Sequence, residues 1–427
     1  MNSVVILGAG IAGISAAYHL KKAGIESVIY EQDDGYGGLC RSFQVDGFTF
    51  DTFAHISFAS NTKEYLENTT EHYTHASEAL NFDNGIWLRH PVQNNMVNLP
   101  VEERIRLIKG FIEKKNDGEA ANYAQWLESV YGIEFAHTYP FRYTRKYWTV
   151  EPEQLETKWV KGRMYEPRLE EVLRGAMMAH TPGVHYSKEA RYPKYGGFQS
   201  FLSFMAKECN IIYQKKVCRI DSSLKKIGFA DGTEVHYEHL ISTLPINEVC
   251  GFMADAPEGV KNAADHLDYT SGVMVSLGIN RPKVSPALWF YIYDEDIFPA
   301  RIYSPDWKSP NNVPSGCSAL QAEIYYSKYK PLTKSLDEVM EEVIEQLLKL
   351  KLFDKNDIII KDVRMKKYAN IMFTPNTYRA RDEIHSFLST EGIFYAGRFG
   401  EWDYLWVGQS LLSGKRAAEN MIDSICG

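Results

Sequence analysis

Residues 4–31 read VVILGAGIAGISAAYHLKKAGIESVIYE, and their pattern names the architecture of the chain's first unit. Four apolar residues, Val4 to Leu7, read as a buried strand. They run into Gly8-Ala9-Gly10-Ile11-Ala12-Gly13; a helical pattern follows to Lys22, and Gly24 stops it. A second apolar strand, Ser27 to Tyr30, ends at Glu31. Strand, glycine-rich turn, helix, strand and acid, in that order, mark a dinucleotide-binding unit. Gly8 permits the tight turn, Gly10 lets the backbone approach a pyrophosphate, and Gly13 lets helix and strand pack closely. The helix N-terminus then faces the phosphates, and Glu31 stands where it accepts bonds from a ribose.

At 427 residues the chain calls for two or three structural units. Its 44% hydrophobic and 24% charged residues are ordinary for a globular protein. A net charge of −8 argues against a generic nucleic-acid or anionic-membrane surface. No apolar run approaches a membrane span, and the N-terminus enters a strand at once with no basic leader. Six cysteines (Cys40, Cys209, Cys218, Cys250, Cys317, Cys426) are scattered without a CxxC. The expectation is no disulfide, no metal site and a reducing cytoplasm. Aromatics reach 13%, with 27 tyrosines, which suits large cores and also stacking surfaces.

Beyond Glu31 stands a second glycine pair, Gly37-Gly38-Leu39-Cys40-Arg41-Ser42, and then GFTFDTFAHISF at 47–58. This resembles the extended fingerprint of amine-oxidase-like FAD flavoproteins. The resemblance implies FAD rather than NAD as the cofactor, with His55 near the flavin ring. It extends cofactor contacts from Gly8, Gly10, Ala12, Gly13 and Glu31 to Gly38, Arg41 and Ser42, and later in the chain to Val217.

The expected class is α/β with α+β inserts, a Rossmann-like FAD-binding domain with a helical insert and a mixed or antiparallel substrate sheet. The FAD domain is read as discontinuous, over 1–80, 191–260 and 385–427. Residues 101–190 carry helical periodicity (Glu102 to Lys114, Tyr123 to Tyr131, Leu169 to Ala179) and read as the insert. Residues 81–100 and 261–384 read as the substrate sheet, with strands Gly272 to Ile279, Trp289 to Tyr293 and Ser318 to Tyr326. Ile211 to Ile220 reads as one strand, and Asp231-Gly232 as a hairpin turn. Ser335 to Leu350 reads as an amphipathic helix capped by Ser335. A last strand and a helix, Leu411 to Ile422, close the chain.

Four further segments resemble UDP-galactopyranose mutases. The first is His90-Pro91-Val92-Gln93-Asn94-Asn95, ending at Leu99-Pro100; in the mutases the matching Gln holds the nucleotide, which implies that role for Gln93. Val92 replaces an aromatic there, and His90 a tyrosine. The second is Tyr143-Thr144-Arg145-Lys146-Tyr147-Trp148, followed by Trp159-Val160-Lys161-Gly162-Arg163. It implies base contacts by Tyr143 and Trp148, and a mobile loop whose Arg163 closes on a diphosphate. The third is Trp289-Phe290-Tyr291-Ile292-Tyr293, continuing to Arg301; a ten-residue gap separates Tyr291 from Arg301, the implied phosphate-binding tyrosine and second arginine. The fourth is FYAGRFGEWDYLWVGQS at 394–410, which fits neither a two-residue nor a 3.6-residue period. It implies Gly397, Arg398 and Gln409 at the flavin and Tyr404 on the diphosphate. Trp406 and Gly408 stand where the mutases place an Asp or Asn beside the sugar.

The resemblance implies a flavin-dependent isomerase that interconverts pyranose and furanose nucleotide sugars for cell-surface polysaccharide, with N5 of reduced FAD as nucleophile. Arg163, Arg301 and His55 take the catalytic places. The expected partners are a nucleoside diphosphate sugar, NAD(P)H or another reductant, and a second copy in a homodimer. Tyr192-Pro193 with Gly196-Gly197, and Ser242-Thr243-Leu244-Pro245, fit the wider superfamily equally, so the alternative is an FAD oxidase or desaturase of the protoporphyrinogen-oxidase or amine-oxidase type. A flavin- or nucleotide-binding protein without catalysis is a third reading.

Overall fold

A computed structural model describes residues 4–58, 61–115, 118–181 and 189–426. Positions 1–3, 59–60 and 427 of the expected flavin segments, and 116–117 and 182–188 of the expected insert, lie outside that range.

The first strand, Val4–Leu7, is buried at all four residues. It sits in the middle of a five-stranded parallel sheet, ordered Ile393–Tyr395, His239–Ser242, Val4–Leu7, Ser27–Tyr30 and Asn210–Ile212. Short apolar runs of this kind suit a parallel sheet covered on both faces. The fingerprint helix, Ile11–Lys22, packs against the C-terminal helix, Val407–Cys426. Gly414 allows that approach, since a Cβ there would lie 2.0 Å from the Ala12 carbonyl oxygen.

The expected single strand Ile211 to Ile220 is two strands in different sheets. Asn210–Ile212 joins the parallel sheet, while Val217–Asp221 starts an antiparallel meander with Lys226–Phe229 and Glu234–His236. Gln214, at φ 58°, turns the chain between them. No glycine or proline marks that turn, so nothing local signals the break.

The third unit is a seven-stranded sheet, ordered Ile358–Ile371, Tyr269–Ile279, Ser318–Tyr326, Arg301–Tyr303, Trp289–Ile292, Leu80–Asp83 and Ile86–Arg89. Every neighbouring pair is antiparallel except Trp289–Ile292 with Leu80–Asp83. One face carries Phe82, Val273, Val275, Phe290, Ile292, Ile302, Leu320, Ala322 and Ile324. It is covered by helix Leu336–Leu348 through Val339, Val343, Ile344 and Leu347. Ser335 and Glu338 cap that helix reciprocally.

Because strand side chains alternate, residues between those apolar positions face the other way. The register aligns four of them across neighbouring strands: Asn81 opposite Tyr291, Tyr291 opposite Arg301, and Arg301 opposite Glu323. The ten-residue spacing of Tyr291 and Arg301 closes into a hairpin that sets them side by side. Helices Val101–Ile112, Tyr123–Tyr131, Ile133–Thr138 and Pro140–Tyr147, with Leu169–Met177, form the neighbouring helical unit. Among the described residues no helix is long and apolar enough to cross a membrane.

Candidate active site

The glycine turn shows three different steric demands. Gly8, at φ +94°, donates its N–H to the Tyr30 carbonyl at 2.9 Å, and a Cβ there would lie 2.5 Å from Thr243 Oγ1. A Cβ on Gly13 would lie 2.0 Å from the Gly8 carbonyl oxygen. A Cβ on Gly10 would meet nothing within 4 Å. The open position is therefore Gly10, at the start of a helix whose first turn carries no acid to neutralise its positive end. Gly37 donates to the Ala9 carbonyl at 2.8 Å, bringing the second glycine pair beside the first, with Gly38 against Gly10. Glu31 is buried; its Oε2 accepts from Ala9 N–H at 2.7 Å and its Oε1 from Asp33 N–H at 2.9 Å. Burial raises its pKa, and those two bonds oppose the rise. Arg41 pairs with Asp34 at 2.6 Å. Val217 is buried and pairs with Phe229.

Ser42 belongs to a polar cluster centred on Asp51, which is fully buried with Lys308 (each side chain 1% exposed) at 3.0 Å. Asp51 also accepts from Ser42 Oγ at 2.8 Å, Tyr192 OH at 2.9 Å and Phe198 N–H at 3.0 Å. His55 stands near this pair, its ring 5.3 Å from that of Phe198. Its Nδ1 lies 2.6 Å from the Phe53 carbonyl oxygen. A carbonyl only accepts, so Nδ1 carries the proton and Nε2 of the neutral ring is the acceptor. Burial pushes the His55 pKa down to about 4.

The polar face of the seven-stranded sheet meets helix Pro140–Tyr147. Tyr143 and Tyr147, one turn apart, stack at 5.6 Å, and Tyr143 meets Tyr291 edge-on, also at 5.6 Å. His90 packs on Tyr291 at 4.7 Å, and Tyr147 on Tyr325 at 4.8 Å. Two cations, the buried Lys146 and the half-buried Arg142, fasten the helix to the sheet. Lys146 donates to the carbonyls of Ile292 at 2.7 Å and Asp294 at 2.8 Å; Arg142 pairs with Asp83 at 2.9 Å. Arg301 grips Glu323 through Nε at 3.0 Å and Nη2 at 2.9 Å, and Tyr325 OH donates to the same oxygen at 2.8 Å.

Where the sheet meets the last loop, two guanidinium groups lie over one ring. The Cζ of Arg163 is 4.4 Å from the Tyr404 ring centre, and that of Arg398 is 4.7 Å. Arg163 also lies 5.0 Å from the Trp406 ring, and its Nη2 donates to the Tyr404 carbonyl. Neither arginine has a carboxylate within ion-pair distance among the described residues. Arg163 Nη1, Arg398 Nε, Asn370 Nδ2 and Trp159 Nε1 are all buried without an acceptor. The groups are adjacent. Arg398 Nη2 reaches Asn370 Oδ1 at 3.4 Å, and Trp148 and Trp159, 5.2 Å apart, each lie 6.0 Å from the Tyr404 ring and form an aromatic wall. Burial lowers the Arg163 pKa, and the Arg398 cation adds to the fall. These four unsatisfied donors, two of them on the two arginines themselves, have the chemistry to receive an anion, since a buried donor left unmade is costly.

The expected residues thus divide. Arg163, Arg398, Tyr404 and Trp148 stand together, and Tyr143, Tyr291 and Arg301 form the adjoining aromatic row. Gln93 is buried in the turn Val92–Asn94. Gln409 is exposed at the start of the last helix, its Oε1 accepting from Trp406 N–H at 2.9 Å.

A family model for flavin-containing amine oxidoreductases matches residues 11–422. The chain belongs to the flavin-containing amine oxidoreductase family. FAD is the cofactor of this family, and the open Gly10 position, the acid-free helix start and the converging second glycine pair fit its pyrophosphate. Among solved structures, a crystal structure of reduced UDP-galactopyranose mutase matches with a TM-score of 0.92 at 24% identity, covering 99% of this chain and 94% of that one. A putative protoporphyrinogen oxidase from Exiguobacterium sp. 255-15 matches with a TM-score of 0.75 at 14% identity, covering 98% of each chain. These likenesses carry the fold. Among curated relatives, a zeta-carotene-forming phytoene desaturase from Myxococcus xanthus is 44% identical over 48 residues, 11% of this chain and 9% of that protein. A probable monoamine oxidase A from Dictyostelium discoideum is 42% identical over 67 residues, 16% of this chain and 14% of that protein. The shared segments are therefore a small part of those relatives' length.

What the sequence reading missed lies mostly on the polar face of the seven-stranded sheet and around the Asp51–Lys308 pair. Glu323 and Gln321 were legible as polar residues alternating within the apolar strand Ser318–Tyr326. Asn370, Lys146 and the Asp51–Lys308 pair carry no local signal, because each acquires its meaning from a partner far along the chain.

Proposed function

We propose that this flavoprotein interconverts the pyranose and furanose forms of a nucleoside diphosphate sugar, as an isomerase of the UDP-galactopyranose mutase kind. The observation that carries the reading is the pair of carboxylate-free arginines over Tyr404, each with a buried N–H lacking an acceptor. A diphosphate supplies the missing acceptors and the missing negative charge. FAD, when bound in its reduced form, supplies the nucleophile at N5. Arg163 and Arg398 stabilise the charge that develops as the sugar–diphosphate bond breaks, from positions fixed before the reaction. Trp148, Trp159 and Phe373 wall the site off from water, which strengthens those charge interactions and limits hydrolysis. Tyr143 and Tyr291 present flat faces and hydroxyls to the rest of the nucleotide sugar. Arg301, held by Glu323, orients beside them. NAD(P)H is the proposed source of electrons.

The second reading, an FAD oxidase or desaturase, draws support from curated relatives that include a phytoene desaturase and a probable monoamine oxidase, each matched over a short segment. One experiment separates the two. The purified protein is reduced anaerobically with dithionite and incubated with UDP- and dTDP-linked pyranoses and furanoses. Ring interconversion under reduction alone is the expected result. No interconversion across the panel, together with amine- or polyene-dependent flavin reduction, overturns it.

A further inference from the structure

Arg163 sits on a turn, next to Gly162 at φ +74°, where a Cβ would meet nothing within 4 Å. The local backbone therefore does little to fix the side chain. What holds the guanidinium is the last loop: the Tyr404 carbonyl, the Tyr404 ring at 4.4 Å and the Trp406 ring at 5.0 Å. Trp406 is 38% exposed, so it flanks Arg163 on the side toward solvent. We propose that Trp406 is a positioning residue for Arg163, holding the guanidinium at the anion site before a ligand arrives.

The chemistry of the residue type carries the argument. A carboxylate at position 406 would pair with Arg163, cancel its charge and occupy its N–H groups. An indole attracts the cation through its ring face and leaves those N–H groups unoccupied. Nη1 of Arg163 is indeed buried without an acceptor. Tyr404 does the same for Arg398, 4.7 Å away, whose Nε is also unmet. The site thus keeps two cations in place with rings and leaves Arg163 Nη1 and Arg398 Nε for the ligand. This inference rests on the anion-site reading given above.

The test is a double-mutant cycle on the FAD-loaded protein, with UDP as the probe and titration calorimetry as the readout. Flavin absorbance and the thermal midpoint verify that each variant is folded and loaded. Arg163→Ala weakens UDP binding about 10- to 100-fold, the scale of a lost charge-assisted hydrogen bond. Trp406→Ala weakens it about 3- to 10-fold, the scale of a lost cation–π contact. Trp406→Phe, which keeps a ring, stays within about twofold of the native protein. The Arg163→Ala/Trp406→Ala double variant binds no more weakly than Arg163→Ala alone. If Trp406→Ala costs the same factor with or without Arg163, Trp406 acts on UDP by another route and the proposal fails. If Trp406→Phe is as weak as Trp406→Ala, the ring is not the operative feature and the proposal fails likewise. A distinct failure is UDP affinity unchanged by Arg163→Ala, which removes the anion-site reading itself.

Discussion

The Asp51–Lys308 pair makes an asymmetric prediction. Both side chains are 1% exposed and 3.0 Å apart. Asp51 keeps three other donors, from Ser42, Tyr192 and Phe198. Among the described residues Lys308 has no second carboxylate in ion-pair range, and its ammonium lies over the faces of Tyr192 and Tyr303, at 5.1 and 5.0 Å. Removing the lysine therefore leaves a carboxylate that is still hydrogen-bonded, whereas removing the acid's charge leaves a buried ammonium with aromatic faces. Lys308→Met should cost about 1.5–3 kcal/mol, the worth of one charge-assisted bond. Asp51→Asn should cost about 3–5 kcal/mol, the penalty for an uncompensated buried charge. The double variant should recover part of that loss, because neither charge is then stranded. Urea unfolding of the FAD-loaded protein reads this as shifts in midpoint at constant slope. A Lys308→Met cost equal to or above that of Asp51→Asn, or simple additivity in the double variant, would refute the reasoning.

Three further outcomes follow from particular contacts. Gly10→Ala should leave the thermal midpoint of the apoprotein nearly unchanged yet lower FAD occupancy, whereas Gly13→Ala, whose Cβ meets a carbonyl at 2.0 Å, should lower both; flavin absorbance per protein and a melting curve separate them. Arg301→Lys keeps the charge but loses the two-point grip on Glu323, so turnover should fall about tenfold or more with FAD retained, measured by steady-state kinetics on the reduced enzyme. Alanine is the poorer choice there, since it strands Glu323. His55 has its pKa lowered from 6.5 to about 4, so between those values the unfolded chain binds more protons than the folded one. Its contribution to stability is present above pH 6.5 and is lost as the pH falls toward 4; urea midpoints of His55→Gln against pH should be flatter across that window.

The sequence disclosed what is local. The turn at Gly8 to Gly13 is legible because three glycines at fixed spacing each answer a separate steric demand, and the structure shows those three demands at those positions. The cap at Ser335 and the strand Ser318–Tyr326 are legible for the same reason. The break at Gln214 was hidden, because a left-handed glutamine looks like any other residue in a strand. Helix Thr377–Thr390 was hidden by its polar surface, only Thr377, Ala380, Ile384 and Leu388 being buried. On the candidate site, Tyr291 and Arg301 were readable as a pair because a hairpin joins them. Glu323, which governs what Arg301 is available to do, is supplied by the next strand and was not read with it. Arg163, Arg398 and Asn370 converge from 163, 398 and 370, and no spacing rule connects such positions.

The order of strands in the parallel sheet has a consequence for how the chain is made. Val4–Leu7 is a central strand, yet one of its two neighbours, His239–Ser242, leaves the ribosome about 210 residues after Tyr30. At ordinary elongation rates that is an interval of roughly 10–40 s. For that time the Val4–Leu7 side of the nascent βαβ unit presents unpaired backbone, an adhesive edge for another chain. The outermost strand, Ile393–Tyr395, and the helix that packs on Ile11–Lys22 emerge later still. The nucleotide-binding unit is thus begun before the helical unit and most of the seven-stranded sheet and completed after them, and crowded synthesis should favour aggregation of incomplete chains unless a chaperone shields them in the meantime.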